Sequence, residues 1–227
     1  MASKVVAIPD LHFPWHHQDC LTYIYEIIKR EKPDVVIQMG DLLDLFCGSR
    51  FARSHDVCTP KEEIYEGRAG AVAMWKHIQK IAPHADLYQI RGNHDVRISK
   101  RVLDVIPEIE FLVEPQIEEL FKFKGVKTIM STSAELKIDG VVYTHGHYSK
   151  IGDHSKYLLK PVVHGHRHRG EVWYQQMNGY LLWELDCGFC ADDTAVPLRH
   201  TPTKTNHWTL GCGMIDSMGP RFIPYCP

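Results

Sequence analysis

The chain of 227 residues has no apolar run near the roughly 18 residues that a membrane-spanning helix needs. Its first residues, "MASKVVAIPDLHFPW", hold one lysine and an apolar stretch too short for a secretory leader, so the expectation is a cytoplasmic protein with no membrane partner. An excess of charge is also missing. The 26 basic and 28 acidic residues leave a formal charge of −2, which excludes holding long nucleic acid by bulk positive charge and leaves room only for a local basic patch. Cysteine is scarce and unpatterned: of seven, only Cys187 and Cys190 form a C-x-x-C. A zinc ribbon needs a second such pair, so buried or half-buried thiols in a reducing compartment are expected. Linkers, repeats and low-complexity tracts are absent as well, and residues 1–227 read as one domain.

The first half alternates strand and helix signals. "KVVAI" (4–8) is a short apolar run, "DCLTYIYEIIKRE" (19–31) has helical spacing, and "DVVIQM" (34–39) is again a buried-strand run. A longer helix is predicted over 60–82, a third strand over 85–90, and shorter helices over 95–104 and 114–121. Beyond residue 125 the pattern changes. "AELKIDGVVYTHG" reads as two strands meeting at an Asp139-Gly140 turn, followed by a short helix over 154–159 and strands over 161–165, 171–177, 180–186 and 207–215. The second half is thus expected to be strand-rich and hairpin-connected, with a long loop over 191–206.

In open α/β sheets functional groups collect in the loops past the carboxyl ends of strands. Strand one ends in Asp10 and His12, strand two in "GDLLD" with Asp41 and Asp44, and strand three in "GNHD" with Asn93, His94 and Asp95. Later strands end in "HGH" (His145, His147) and in "HGHRHRG" (164–170). Each loop alone is a weak signal, but five in order offer one chemistry. Carboxylates, imidazoles and one amide oxygen, without thiolate, suit divalent manganese, iron, nickel or zinc better than calcium.

These loops, "DLH", "GDLLD", "GNHD", "HGH" and "GHRH", resemble the five ordered motifs of the calcineurin-like metallophosphoesterase family over residues 10–168. The resemblance implies an α/β fold: a four-layer α/β/β/α sandwich of two mixed sheets flanked by helices, with a di-metal site at the strand C-terminal ends. It implies two divalent ions, manganese ahead of iron, nickel or zinc. Asp10, His12 and His168 would hold the first ion, Asn93, His145 and His166 the second, and Asp41 would bridge them, offsetting the repulsion of two dications about 3.5–4 Å apart. Hydrolysis would follow attack by a metal-bridging hydroxide, with His94 as general acid. Asp44 would be its carboxylate partner, raising the imidazole pKa and fixing its tautomer.

Around that set, Arg97 is expected as a phosphate contact and Asp95 as a helix N-cap. Gly40, Gly92 and Gly165 should let the backbone turn tightly beside their neighbours. Arg167 is expected to point away into a salt bridge and His164 to belong to its strand; His147 and Arg169 stay open between substrate and structural roles. The substrate is expected to be a nucleotide or nucleic-acid phosphoester, through phosphodiesterase, nuclease or phosphatase action. Aromatic and basic groups at Arg50, Phe51, Arg53, Arg199, His200 and Lys204 would wall the site. A protein phosphatase is an alternative, disfavoured because "GDLLDLFCGS" lacks the arginine that those enzymes carry after the second motif. A non-catalytic scaffold of the same fold is disfavoured because no ligand position is empty.

Overall fold

The computed structural model describes residues 3–49, 58–195, 198 and 207–226. Strands β1 (Val5–Ile8), β2 (Val35–Gln38) and β3 (Asp86–Ile90) run parallel, joined by helices α1 (Gln18–Glu31) and α2 (Pro60–Ile81). Helix α1 forms where the sequence places it because Cys20, Leu21, Ile24, Ile27 and Ile28 recur on one buried face. Helix α2 starts sharply: Thr59 and Glu62 form a reciprocal capping box ahead of Pro60.

Helix α3 (Arg97–Leu103) and helix α4 (Glu110–Glu119) follow. Helix α4 begins earlier than expected and runs through Pro115, four residues after Phe111, an exposed position where solvent can serve the carbonyl that proline leaves unbonded. The chain continues through β4 (Lys127–Ile129), β5 (Leu136–Ile138), β6 (Val141–Thr144), α5 (Asp153–Leu158), β7 (Val162–His164), β8 (Glu171–Met177), β9 (Tyr180–Asp186), β10 (Gly211–Asp216) and β11 (Gly219–Pro224).

Two mixed sheets result, ordered β11-β10-β1-β2-β3-β4 and β5-β6-β7-β9-β8. The expected hairpin at Asp139-Gly140 is present, with both residues at positive φ, and so are hairpins β8–β9 and β10–β11. The expectation of hairpins throughout the second half fails at the centre of the sheet, where β6, β7 and β9 are parallel neighbours.

Strand alternation divides the core. Val6, Ile8 and Val36 face α1 and α2, packing with Ile24, Ile28, Met74 and Trp75. Val5, Ala7, Val35 and Ile37 face the second sheet, packing with Tyr143, Val163 and Leu185. Helix α5 packs against β9, completing two mixed sheets flanked by helices. Cys187 and Cys190 each lie in one of the two clusters, and burial pushes both thiols well above their ordinary pKa. Among the described residues no helix is long and apolar enough to cross a membrane.

Candidate metal centre

The parallel register of β1, β2 and β3 pairs Ile8 with Gln38 and Gln38 with Gln89, so the loops that follow emerge side by side. The register of β6 and β7 pairs Thr144 with His164 and aligns the loops carrying His145 and His166. Face-to-face packing of the sheets brings both sets of loops together.

The structure gathers His12 and His168 into one group of donors and His145 and His166 into another. In one, Asp10, His12 and His168 present donor atoms within 4.8 Å of one another. Asp10 Oδ2 lies 2.8 Å from His168 Nε2 and accepts the backbone N–H of His166 at 3.0 Å. In the other are Asp41, His145 and His166. His145 Nε2 and His166 Nδ1 each lie 2.8 Å from Asn93 Oδ1, and His145 Nε2 is 3.4 Å from Asp41 Oδ2. His166 and His168 of "HGHRHRG" therefore divide between the two groups.

The residues fit a pair of divalent ions. His12 Nδ1 is 3.0 Å from Asp44 Oδ1, while its Nε2 is buried with no hydrogen-bond partner among the described residues, which is costly unless something meets it. His145 Nδ1 lies 3.0 Å from the Met39 carbonyl, leaving Nε2 toward the acidic groups, the arrangement by which outer contacts orient a metal-binding imidazole.

Charge is concentrated here in a dry place. Burial alone would raise the Asp41 carboxyl, but the charges of His145 and His94 outweigh it and hold the group well below its ordinary value. Burial would likewise lower His145, yet Asp41 beside it pushes the imidazole up to about 10. His166 goes the other way, lowered to about 4 by burial and by the His145 charge. Asp10 and Asp44 stay below the usual carboxylate range because neighbouring histidines overcome their burial.

The backbone is strained at these positions. His12, Asp41, His166 and His168 all have φ between 49° and 69°, a left-handed conformation that costs non-glycine residues about 1–3 kcal/mol each and clusters at functional sites. No sequence signal marked this. Of the three expected glycines only Gly40 has positive φ, at 104°. Gly92 and Gly165 serve close approach instead: an added Cβ would collide with Asp41 and Asp10 respectively.

Two further expectations need correction. Asp95 is not an N-cap, since Val96 holds that position of α3; its buried carboxylate accepts the N–H groups of Gly92 at 2.7 Å and Leu43 at 2.9 Å, tying the third loop to the second. Asp44 does contact His94, with Oδ1 2.8 Å from Nδ1, but burial outweighs the surrounding carboxylates and leaves the imidazole pKa lowered rather than raised. Arg97 lies beside this pair: Nη1 donates to the Asp44 carbonyl at 3.0 Å, and Nη2 lies 2.8 Å from His94 Nε2.

Arg167 pairs with Glu171 and Asp186, as expected. His164 sits in β7, fully buried against Glu184. His147 is exposed and its ring contacts Tyr148 and His154. Arg50, Phe51, Arg53, Arg199, His200 and Lys204 lie outside the described residues. Sequence reasoning missed Glu184, buried between His154 on α5 and His164 on β7, because a lone glutamate inside "YLLWELD" carries no motif.

The Gene 54 proteins of Mycobacterium phages D29 and L5 are each 22% identical to this chain. The D29 alignment covers 99% of this chain and 94% of the relative, and the L5 alignment 99% and 92%. Among solved structures, YfcE, a phosphoesterase from E. coli, aligns with TM-score 0.45 and 14% identity over 94% of this chain and 88% of its own. Vps29 of Chaetomium thermophilum aligns with TM-score 0.45 and 11% identity over 96% and 81%. A family model described as calcineurin-like phosphoesterase matches residues 3–222, and the chain belongs to that family.

Proposed function

We propose that the chain, acting as one domain over residues 1–227, is a cytoplasmic two-metal hydrolase of phosphoester bonds in nucleotides or nucleic-acid ends. The observation that carries this reading is the pair of buried donor groups around Asp41, with His12 Nε2 left unpartnered among them. Asp10, His12 and His168 would hold one ion, Asn93, His145 and His166 the other, and Asp41 both; manganese is the first choice, ahead of iron, nickel or zinc. Bound there, two dications supply hydroxide at neutral pH and offset the charge that the phosphoryl group gains.

The chain's own side chains do the rest. Asp44 holds His94 by Nδ1, so Nε2 is the atom that handles the proton. A phosphoryl oxygen entering the site would replace His94 as the acceptor of Arg97, and His94 Nε2, freed to take a proton from solvent, would give it to the leaving alkoxide. The lowered pKa of a buried imidazole makes it a stronger acid in that step.

The test is hydrolysis of bis-p-nitrophenyl phosphate and p-nitrophenyl phosphate under manganese, nickel and zinc, by wild type and His94→Ala. Turnover of one ester over the other separates diesterase from monoesterase. On an alkyl ester with a poor leaving group the variant should lose about 10²–10⁴-fold in kcat. Full turnover by His94→Ala on that ester would sink the acid assignment, and no turnover by wild type with any metal would favour a non-catalytic scaffold.

A further inference from the structure

We propose that Lys100 and Arg101 on α3, beside Arg97, form a cradle for a second phosphate, the one next to the scissile phosphate on a nucleic-acid strand. This rests on the phosphoesterase reading and names what extends beyond its centre. A cavity of about 390 Å³ opens there, and Asn93, Arg97, Lys100, Arg101 and Asp104 are among the residues that line it. Asn93 belongs both to this cavity and to the candidate metal centre, where its Oδ1 meets His145 and His166. The cavity therefore adjoins the candidate metal centre at Asn93.

Three cations against one carboxylate make a local basic patch on a chain whose formal charge is −2. They are not equivalent. Arg97 already serves Asp44 and His94. Lys100 and Arg101 are exposed and, among the described residues, have no carboxylate within ion-pair distance. Basic residues in a last turn also suit the carboxyl end of a helix, but that benefit does not require them to face a cavity shared with Asn93.

Spacing selects the ligand. Positions 97, 100 and 101 lie on one helical face, and Lys100 and Arg101 stand about 4.5–6 Å along the axis from Arg97. That offset suits two phosphates separated by a sugar better than two joined through a single oxygen, as in a nucleoside polyphosphate. Asp104 bounds the run of positive charge, repelling a further phosphate while accepting hydrogen bonds from a base amine or a sugar hydroxyl.

The experiment compares wild type with the double variant K100A/R101A, as isolated with manganese, using a fluorescein-labelled single-stranded oligonucleotide with phosphorothioate linkages. Fluorescence anisotropy between 50 and 200 mM salt should show weaker binding by the variant and a log–log salt slope shallower by about 1.4, two contacts at about 0.7 each. The ratio of kcat/KM for an unmodified oligonucleotide to that for bis-p-nitrophenyl phosphate should fall, mainly through KM. The charge reversal K100E/R101E should weaken oligonucleotide binding further than K100A/R101A does.

An unchanged slope and ratio would overturn the cradle, as would equal loss on both substrates. Loss of competition by a nucleoside triphosphate without loss of oligonucleotide binding would overturn the strand assignment. A wild type that binds the oligonucleotide with the expected slope difference but cleaves neither ester would keep the cradle and overturn the enzymatic reading.

Discussion

His94 Nδ1 lies 2.8 Å from Asp44 Oδ1, and that same oxygen is 3.0 Å from Nδ1 of His12. One buried carboxylate thus orients two imidazoles, one grouped with Asp10 and His168, the other beside Arg97. On the proposed function, proton donation and the first metal position would be coupled through that single atom. An Asp44→Asn variant keeps the shape but loses the charge, so both ring N–H groups face a weaker, neutral acceptor at that one position. Manganese affinity and turnover should both fall, by about 10–100-fold. Calorimetric metal titration alongside kinetics checks this; a turnover defect with intact affinity would mean that the shared oxygen does not couple the two.

Asp41 lies between the second and third loops and the His145 ring. It meets His145, accepts the His94 N–H and lies beside Gly92. Asp41→Asn should reduce bound metal well below the wild-type content, read by elemental analysis after dialysis. In wild type, manganese at about 100 times its Kd should stabilise the fold by about 2.7 kcal/mol. That thermal shift should vanish in the variant and on chelation.

Gly165 makes a narrower test. A methyl group there would strike Asp10, which is fully buried and held by His168 and the His166 N–H, so the carboxylate has nowhere to retreat. Gly165→Ala should cost about 1–3 kcal/mol in urea unfolding. Metal content should fall toward one ion rather than none, because Asn93, His145 and His166 are untouched.

Glu184 predicts a pH dependence away from the centre. Burial would raise its carboxyl, but hydrogen bonds with His154 and His164 overcome this, and the folded-state pKa is depressed. A depressed carboxylate contributes stability that is present above its unfolded pKa of about 4.3 and lost as pH falls through the folded value. Urea midpoints measured from pH 7 down to pH 3 should therefore fall more steeply for wild type than for Glu184→Gln. Parallel curves would show that Glu184 gains nothing from its histidines.

Much of the fold was legible in the chain itself. Strands β1 to β3 and helices α1 and α2 lie within a residue or two of the periodicity, because local pattern and the Thr59 cap specify them. Two strands escaped notice. Strand β4 has only three residues, too few to show a period, and β11 contains Pro220 and Pro224, which argue against a strand unless it lies at an edge, as β11 does. The parallel run β6, β7, β9 was hidden because hairpin and crossover strands have the same alternation.

By itself the sequence determined which chemical groups stand at the strand ends and in what order, since that follows from residue type and spacing along the chain. Only the tertiary structure decided which atom of each imidazole meets which partner, as with His168 and Asp10, 158 positions apart. It also decided that Arg97 turns to Asp44 and His94, that Asp95 ties two loops, and that Glu184 lies between two histidines. Those pairings depend on how the two sheets pack and on four backbone positions held in a left-handed conformation, and no local pattern encodes either.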